Sequence, residues 1–225
     1  MKAFSWSFSR LKNYEVCAFR HLKCDLTKPK DGGYKESSEQ LDWGNKVHDT
    51  LASALRNNGI LPNDMSVWQK WITKISAMPG ELLVEKKYAL TRSFEPCEYF
   101  SPGVWVRVVV DILRINGPVA FVGDWKTGAM KHNADQLVIG AQAVFSNYPQ
   151  VQKITSAFIW LQDGTPSKEV FTREIVANAW KNNLFPRVRK MEDAAKHQMY
   201  PKEPGGLCRR YCPVTECEFH GIGSR

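Results

Sequence analysis

The sequence predicts an α/β protein with a central mixed β-sheet flanked by helices, and three observations predict it. Two N-terminal stretches carry apolar residues at helical spacing, three valine- and aromatic-rich runs follow, and a helical stretch then separates them from a further apolar run. The order helix, helix, three strands, helix, strand fits a layered α/β arrangement. At 225 residues, with 43% hydrophobic and 12% aromatic content, the chain can bury a sizeable core and is not a disordered sequence. A single domain over 1–225 is expected, with its core at about 38–173 and a helical, cysteine-bearing subregion built from 1–30 and 174–225.

Taken in order, residues 7–26 read as a helix entered from serines, with Leu11, Tyr14, Cys17 and Ala18 on one stripe. "KPKDGGYKESSE" is a loop by composition, and Ser37 or Ser38 is placed to cap a second helix running to about Asn57. Its apolar face collects Val47, Leu51, Ala54 and Leu55, with His48 at the edge, and "NNG" stops it. A short tryptophan-bearing helix is expected over 64–76. "ELLVEKKYAL", "VWVRVVVDILRI" and "VAFVGDWK" read as strands, the last two joined by the turn signal "NGP". "ADQLVIGAQAVF" has helical spacing, "ITSAFIWL" reads as a buried strand and "KEVFTREI" as another. A basic helix over 174–198 leads into a Cys-, Pro- and Gly-punctuated tail.

The formal charge of +8, from 31 Lys and Arg against 23 Asp and Glu, favours a polyanionic partner, of which nucleic acid is the commonest. No stretch approaches the roughly 18 uninterrupted apolar residues of a membrane helix. The start "MKAFSWSFSR" lacks the apolar region of a signal peptide, so a reducing cytoplasm is expected. Three of the six cysteines crowd the C-terminus, which points to a metal site rather than a disulfide framework.

The stretch "VAFVGDWKTG" lifts Asp124 and Lys126 out of an apolar strand, which strand building alone does not explain. A two-residue turn at Asn116-Gly117 would set Asp111 opposite Val122 and Asp124 opposite Val109. The two aspartates then lie diagonally on one face, with Lys126 two residues further along it. Converging carboxylates repel unless a cation or proton sits between them, and a hard divalent cation, Mg2+ or Mn2+, is the natural occupant. A solvated hairpin face with an Asp–Lys pair is the alternative at this stage.

The ordered series "GNKVHDTL", "VEKKYAL", "VRVVVDIL", "GDWKTG" and the glutamine of "DQLVIGAQAVF" resembles the PD-(D/E)XK nucleases, and within them the RecB-like branch with its CRISPR-associated and phage exonucleases. "SWSFSRLKNYEVCAFRHLK" and "LCRRYCPVTECEFHG" resemble that branch too, so the likeness runs over nearly the whole chain. The resemblance implies a restriction-endonuclease-like core and metal-dependent DNA hydrolysis. His48, Asp111 and Asp124 would be ligands of the divalent cation, Lys126 the catalytic lysine, Gln136 a group contacting DNA or steadying the lysine, and Glu85 a supporting strand acid. Many relatives carry a tyrosine four residues after the glutamine, where this chain has Gly140. The implied activity is that of an exonuclease in phage DNA recombination, repair or replication, with a phage single-strand annealing or replication protein as a candidate partner. A structure-specific endonuclease and a catalytically idle DNA-binding relative are the alternatives.

Cys208, Cys212 and Cys217, followed by His220, could form a tetrahedral zinc site. The RecB-like resemblance implies instead a four-iron cluster in which Cys17 joins those three cysteines and staples the chain ends. Basic residues of the last helix and the tail, Arg187, Arg189, Lys190, Arg209 and Arg210, are candidate DNA phosphate contacts. No base-reading module is recognisable, so DNA ends or structure are expected to direct cleavage rather than sequence.

Overall fold

A computed structural model describes residues 4–27, 39–130 and 133–222. The chain forms α1 (Phe8–Val16), α2 (Ala18–His21) and a π-helical turn over Leu22–Leu26. The single helix expected over 7–26 therefore breaks at Cys17, whose backbone is extended and whose N–H closes α1 on the Asn13 carbonyl. α3 spans Glu39–Asn57, a 3-10 turn covers Asn63–Trp68, and α4 runs over Gln69–Ser76. The Ser37 or Ser38 cap lies outside the described residues.

The strands are β1 (Glu81–Leu90), β2 (Pro96–Cys97), β3 (Val106–Asn116), β4 (Val119–Lys126), β5 (Lys153–Trp160) and β6 (Thr165–Thr172), with α5 (Asp135–Asn147) between β4 and β5. They form one mixed sheet in the order β2-β1-β3-β4-β5-β6. Only the β4–β5 pair is parallel, as a helical crossover requires. β6 ends earlier than expected because Thr172 caps α6 (Arg173–Ala179), its side chain accepting from the Ile175 N–H. A π-turn over Trp180–Leu184 then joins α6 to α7 (Phe185–His197).

Two apolar clusters sandwich the sheet. Leu137, Ile139, Val144 and Phe145 of α5, with Val176, Trp180, Val188 and Met191, cover one face. Val47, Leu51 and Leu55 of α3, with Trp71, Ile72 and Ile75 of α4, cover the other. This is the two-sided burial that an amphipathic layer needs.

The β3–β4 turn differs from expectation. Asn116 pairs with Val119, so Gly117 and Pro118 form the turn, with Gly117 at φ +56°. The expected turn would have put Pro118, which has no N–H, into the ladder opposite Ile115. The difference is two residues, so every side chain keeps its face. Ile112 pairs with Gly123, the last pair of the β3–β4 ladder before Asp111 and Asp124. Gly123 permits this close pairing: a Cβ there would sit 2.8 Å from Ile112 Cδ1.

Candidate active site

Strand alternation changes phase where the acids stand. Along β3, Val106, Val108 and Val110 enter the α5-side cluster, but beyond Asp111 it is Leu113 and Ile115 that enter it, with Ile112 on the opposite side. In β1, Tyr88 and Leu90 face α5, while Leu83 replaces the even-numbered residues nearer the strand start. The pairs Val84↔Ile112 and Lys86↔Val110 share one register, so both strands shift phase at the opposed pair Glu85 and Asp111. Glu85 takes φ +52°, a left-handed conformation rare for a residue with a side chain. This local irregularity presents two acids from adjacent strands together.

His48 joins them from α3, its Nδ1 3.3 Å from Asp111 Oδ2. Donor atoms of His48, Glu85 and Asp111 all lie within 4.8 Å of one another, close enough to share a metal ion. Burial works to lower the His48 pKa, but the charges of Asp111, Asp124 and Glu85 outweigh it and hold the imidazole above its ordinary value. Burial and the Asp111 charge push the Glu85 carboxyl up. Asp111 is itself anchored by accepting the Trp125 backbone N–H at 3.0 Å.

Asp124 stands outside that trio, on the α5 side of β4. Its Oδ1 accepts from Gln136 Nε2, and its Oδ2 lies 2.7 Å from Lys126 Nζ. That contact is an ion pair to the buried Asp124 carboxylate. Desolvation first, and then the Asp111 charge, raise the Asp124 pKa well above the usual aspartate range against the pull of Lys126. Lys126 Nζ donates to Gln136 Oε1 at 2.8 Å and sits 4.9 Å above the Phe158 ring. Trp125 points the other way, fully buried among the α3- and α4-side residues. The donor set of His48, Glu85 and Asp111 suits a divalent cation: two carboxylates and one imidazole with excess negative charge.

The start of α5 that carries Gln136 is tied down from behind. Asp135 accepts from Asn183 Nδ2 at 2.7 Å and Arg187 Nη1 at 2.6 Å, and Arg187 also forks onto both oxygens of Glu15. Arg187, expected at a phosphate, thus spends its donors inside the protein. Arg189, Lys190, Arg209 and Arg210 are exposed and stand outside the lining of the cavity at Asp111 and Asp124. That cavity, about 500 Å³, is lined also by Ser7, Lys12, Tyr99, Arg107, Gln136 and Gly140. The sequence reading passed over Tyr99 and Arg107; their loop and strand positions carry no periodic signal.

At the far end of α1, a cavity of about 210 Å³ is lined by Cys17, Cys208, Cys212 and Cys217 together. Cys17 Sγ accepts the Glu203 N–H and Cys208 Sγ the Gly205 N–H, each at 3.4 Å. His220 is exposed and is not part of that lining.

A family model of the PD-(D/E)XK nuclease superfamily matches residues 5–217. No curated protein matches the chain. Among solved structures, a crystal structure from Eubacterium rectale described as "Putative exonuclease" is similar over 90% of this chain and 91% of that one, with 16% identity and a TM-score of 0.47.

Proposed function

The chain belongs to the PD-(D/E)XK nuclease superfamily, and from that premise we propose that it is a divalent-metal-dependent deoxyribonuclease acting as an exonuclease. The observation that carries the reading is the gathering of His48 with Glu85 and Asp111, at the middle of β1 and β3, beside the linked Asp124, Lys126 and Gln136 where β4 ends. A purely structural sheet has no reason to hold the Glu85 and Asp111 carboxylates within 4.8 Å of each other, or to hold Glu85 in a left-handed conformation.

His48, Glu85 and Asp111 would hold the cation, with Asp124 at its flank. When bound, such an ion lowers the pKa of a water and offsets the charge of a scissile phosphate. Lys126 offers an ammonium group whose position Gln136 and Asp124 fix in advance. Placed beside the phosphate, it donates to the attacking water or to the oxygen on which charge develops. Losing one preorganised donor of this kind costs about 2.7–4 kcal/mol of barrier. Water adds to phosphorus and gives up one proton to solvent, the phosphorus–oxygen bond to the leaving sugar breaks, and the freed oxygen takes one proton from solvent.

The four cysteines fit a four-iron cluster that staples the chain ends. They line one cavity, and the Cys17 and Cys208 sulfurs each accept a backbone N–H. Zinc held by three cysteines and His220 is the weaker alternative, because His220 lies outside that cavity. A role in phage DNA recombination, repair or replication rests on the resemblance of the terminal motifs to phage members.

The test is digestion of end-labelled linear and closed circular DNA with Mg2+ or Mn2+. Linear DNA should be degraded and circular DNA spared, with Lys126→Ala about 100-fold slower or worse. Cutting of circular DNA would make it an endonuclease. Equal cleavage by wild type and Lys126→Ala would remove the proposed site.

A further inference from the structure

We propose that Tyr99 and Phe100, on the connection between β2 and β3, form a nucleobase-stacking platform that seats a single nucleic-acid strand leading into the carboxylate cavity. The proposal rests on the nuclease reading and adds a binding site to it. The cavity at Asp111 and Asp124 adjoins a larger one of about 940 Å³, and Ser7, Tyr99 and Arg107 line both. Phe100 stands in that second cavity, 84% exposed, with its ring edge-on to Tyr99 at 5.1 Å. An aromatic ring held that open gains little from its own fold, and an unstacked base offers the flat partner it lacks.

The surroundings fit a strand with a phosphate backbone. The guanidinium of Arg107 lies 5.6 Å from the Tyr99 ring centre and the Lys87 ammonium 5.9 Å from it. Arg107 is fixed by donating to the Tyr99 carbonyl and to Ser5 Oγ, both at 2.8 Å, and Arg10 by donating to the Ser5 carbonyl at 3.2 Å. Among the described residues neither arginine makes an ion pair. Of the three acids lining the larger cavity, Glu192 is taken by Arg92 and Trp105 and Asp25 by His21 and Asn13, which leaves Asp193, against the four basic side chains of Arg10, Arg92, Arg107 and Lys196. The wall therefore presents positive charge next to an open aromatic face, the combination that tracks one strand without reading its sequence. A duplex keeps its base faces stacked on each other and has none to offer Phe100 except at an end.

The experiment is fluorescence anisotropy of a labelled oligonucleotide with EDTA present, so that binding is read without cleavage. Phe100→Ala should weaken binding about 5- to 150-fold, Phe100→Trp should keep it, and Phe100→Leu should fall with alanine, because stacking rather than apolar cover is at work. Phe100 is exposed, so the melting temperature should not move. Hydrolysis of bis(p-nitrophenyl) phosphate, too small to reach the platform, should be unchanged in Phe100→Ala. Arg107→Ala should make the salt dependence shallower by about one phosphate. Binding by Phe100→Ala within twofold of wild type overturns the platform, whatever the hydrolysis shows. Failure of the wild type to hydrolyse either phosphodiester overturns the nuclease reading instead, and leaves the anisotropy to decide the platform by itself.

Discussion

Replacing Glu85 with glycine should make the metal-free protein more stable while removing its response to metal. Glu85 sits at φ +52°, where a side-chain-bearing residue loses on the order of 1–2 kcal/mol. Its carboxylate also lies within 4.8 Å of an Asp111 donor oxygen. At an effective dielectric near 20 such a pair repels by about 3.5 kcal/mol, which partial exposure and the adjacent His48 reduce to about 1 kcal/mol. Glycine returns about 0.5–1 kcal/mol through the greater freedom of the unfolded chain. The net gain is about 1–2 kcal/mol, or about 2–8 °C in melting temperature for a chain of this size. Thermal unfolding in EDTA and in millimolar Mn2+ reads both halves. Wild type should melt lower than Glu85→Gly in EDTA and rise with Mn2+, since an ion that binds only the folded state stabilises it. Glu85→Gln, which keeps the backbone conformation and drops the charge, should recover only the repulsive part. If Glu85→Gly melts below wild type in EDTA, or gains as much from Mn2+, the reasoning from strain and shared ligation is wrong.

Lys126→Met should cut hydrolysis about 100- to 1,000-fold while leaving the Mn2+-induced rise in melting temperature in place, because the ammonium acts on the phosphate rather than on the ion. Gln136→Leu removes the link between Lys126 and Asp124 and should lower turnover about tenfold or more with binding of oligonucleotides held constant, read from single-turnover rates. Arg187→Ala leaves the Asp135 and Glu15 carboxylates without their guanidinium and should cost about 3 kcal/mol of stability in urea titration. The salt slope of DNA binding should not change, whereas a phosphate contact would lower it by about one. Cys17→Ser, purified without oxygen, should lose iron and visible absorption and melt lower, and full iron retention would exclude Cys17 as a ligand.

Most of the layer order was legible because it depends on period alone. The α3 stripe of Val47, Leu51, Ala54 and Leu55 and the alternating Val106, Val108 and Val110 of β3 bury the faces that their spacing marks. What spacing could not carry was lost. β2 has two residues and therefore no period. The first helix reads as continuous because Cys17 is helix-compatible, yet the chain extends there, and the next N–H but one, that of Phe19, pairs with the distant Pro201 carbonyl. Tertiary pairing overrode local propensity at that position.

The metal-facing group shows why a wrong register can still point at the right face. Asn-Gly is a strong hairpin signal, but Pro118 cannot donate to a ladder, so the turn moved along and the partner of each residue shifted by two. A period of two makes that shift invisible to facing. A shift of one would have separated the acids across the sheet. The structure does contain a one-residue phase change, but it occurs in β1 and β3 at the same opposed pair, so the strands stay in register with each other while Glu85 and Asp111 turn toward His48. Alternation analysis treats each strand alone and reads such a change as noise. Paired across two strands it is a device: it lets the sheet keep its hydrogen bonds on either side and still bring an acid from β1 beside Asp111 and His48, at the cost of one left-handed residue that the apolar layers above and below are large enough to hold.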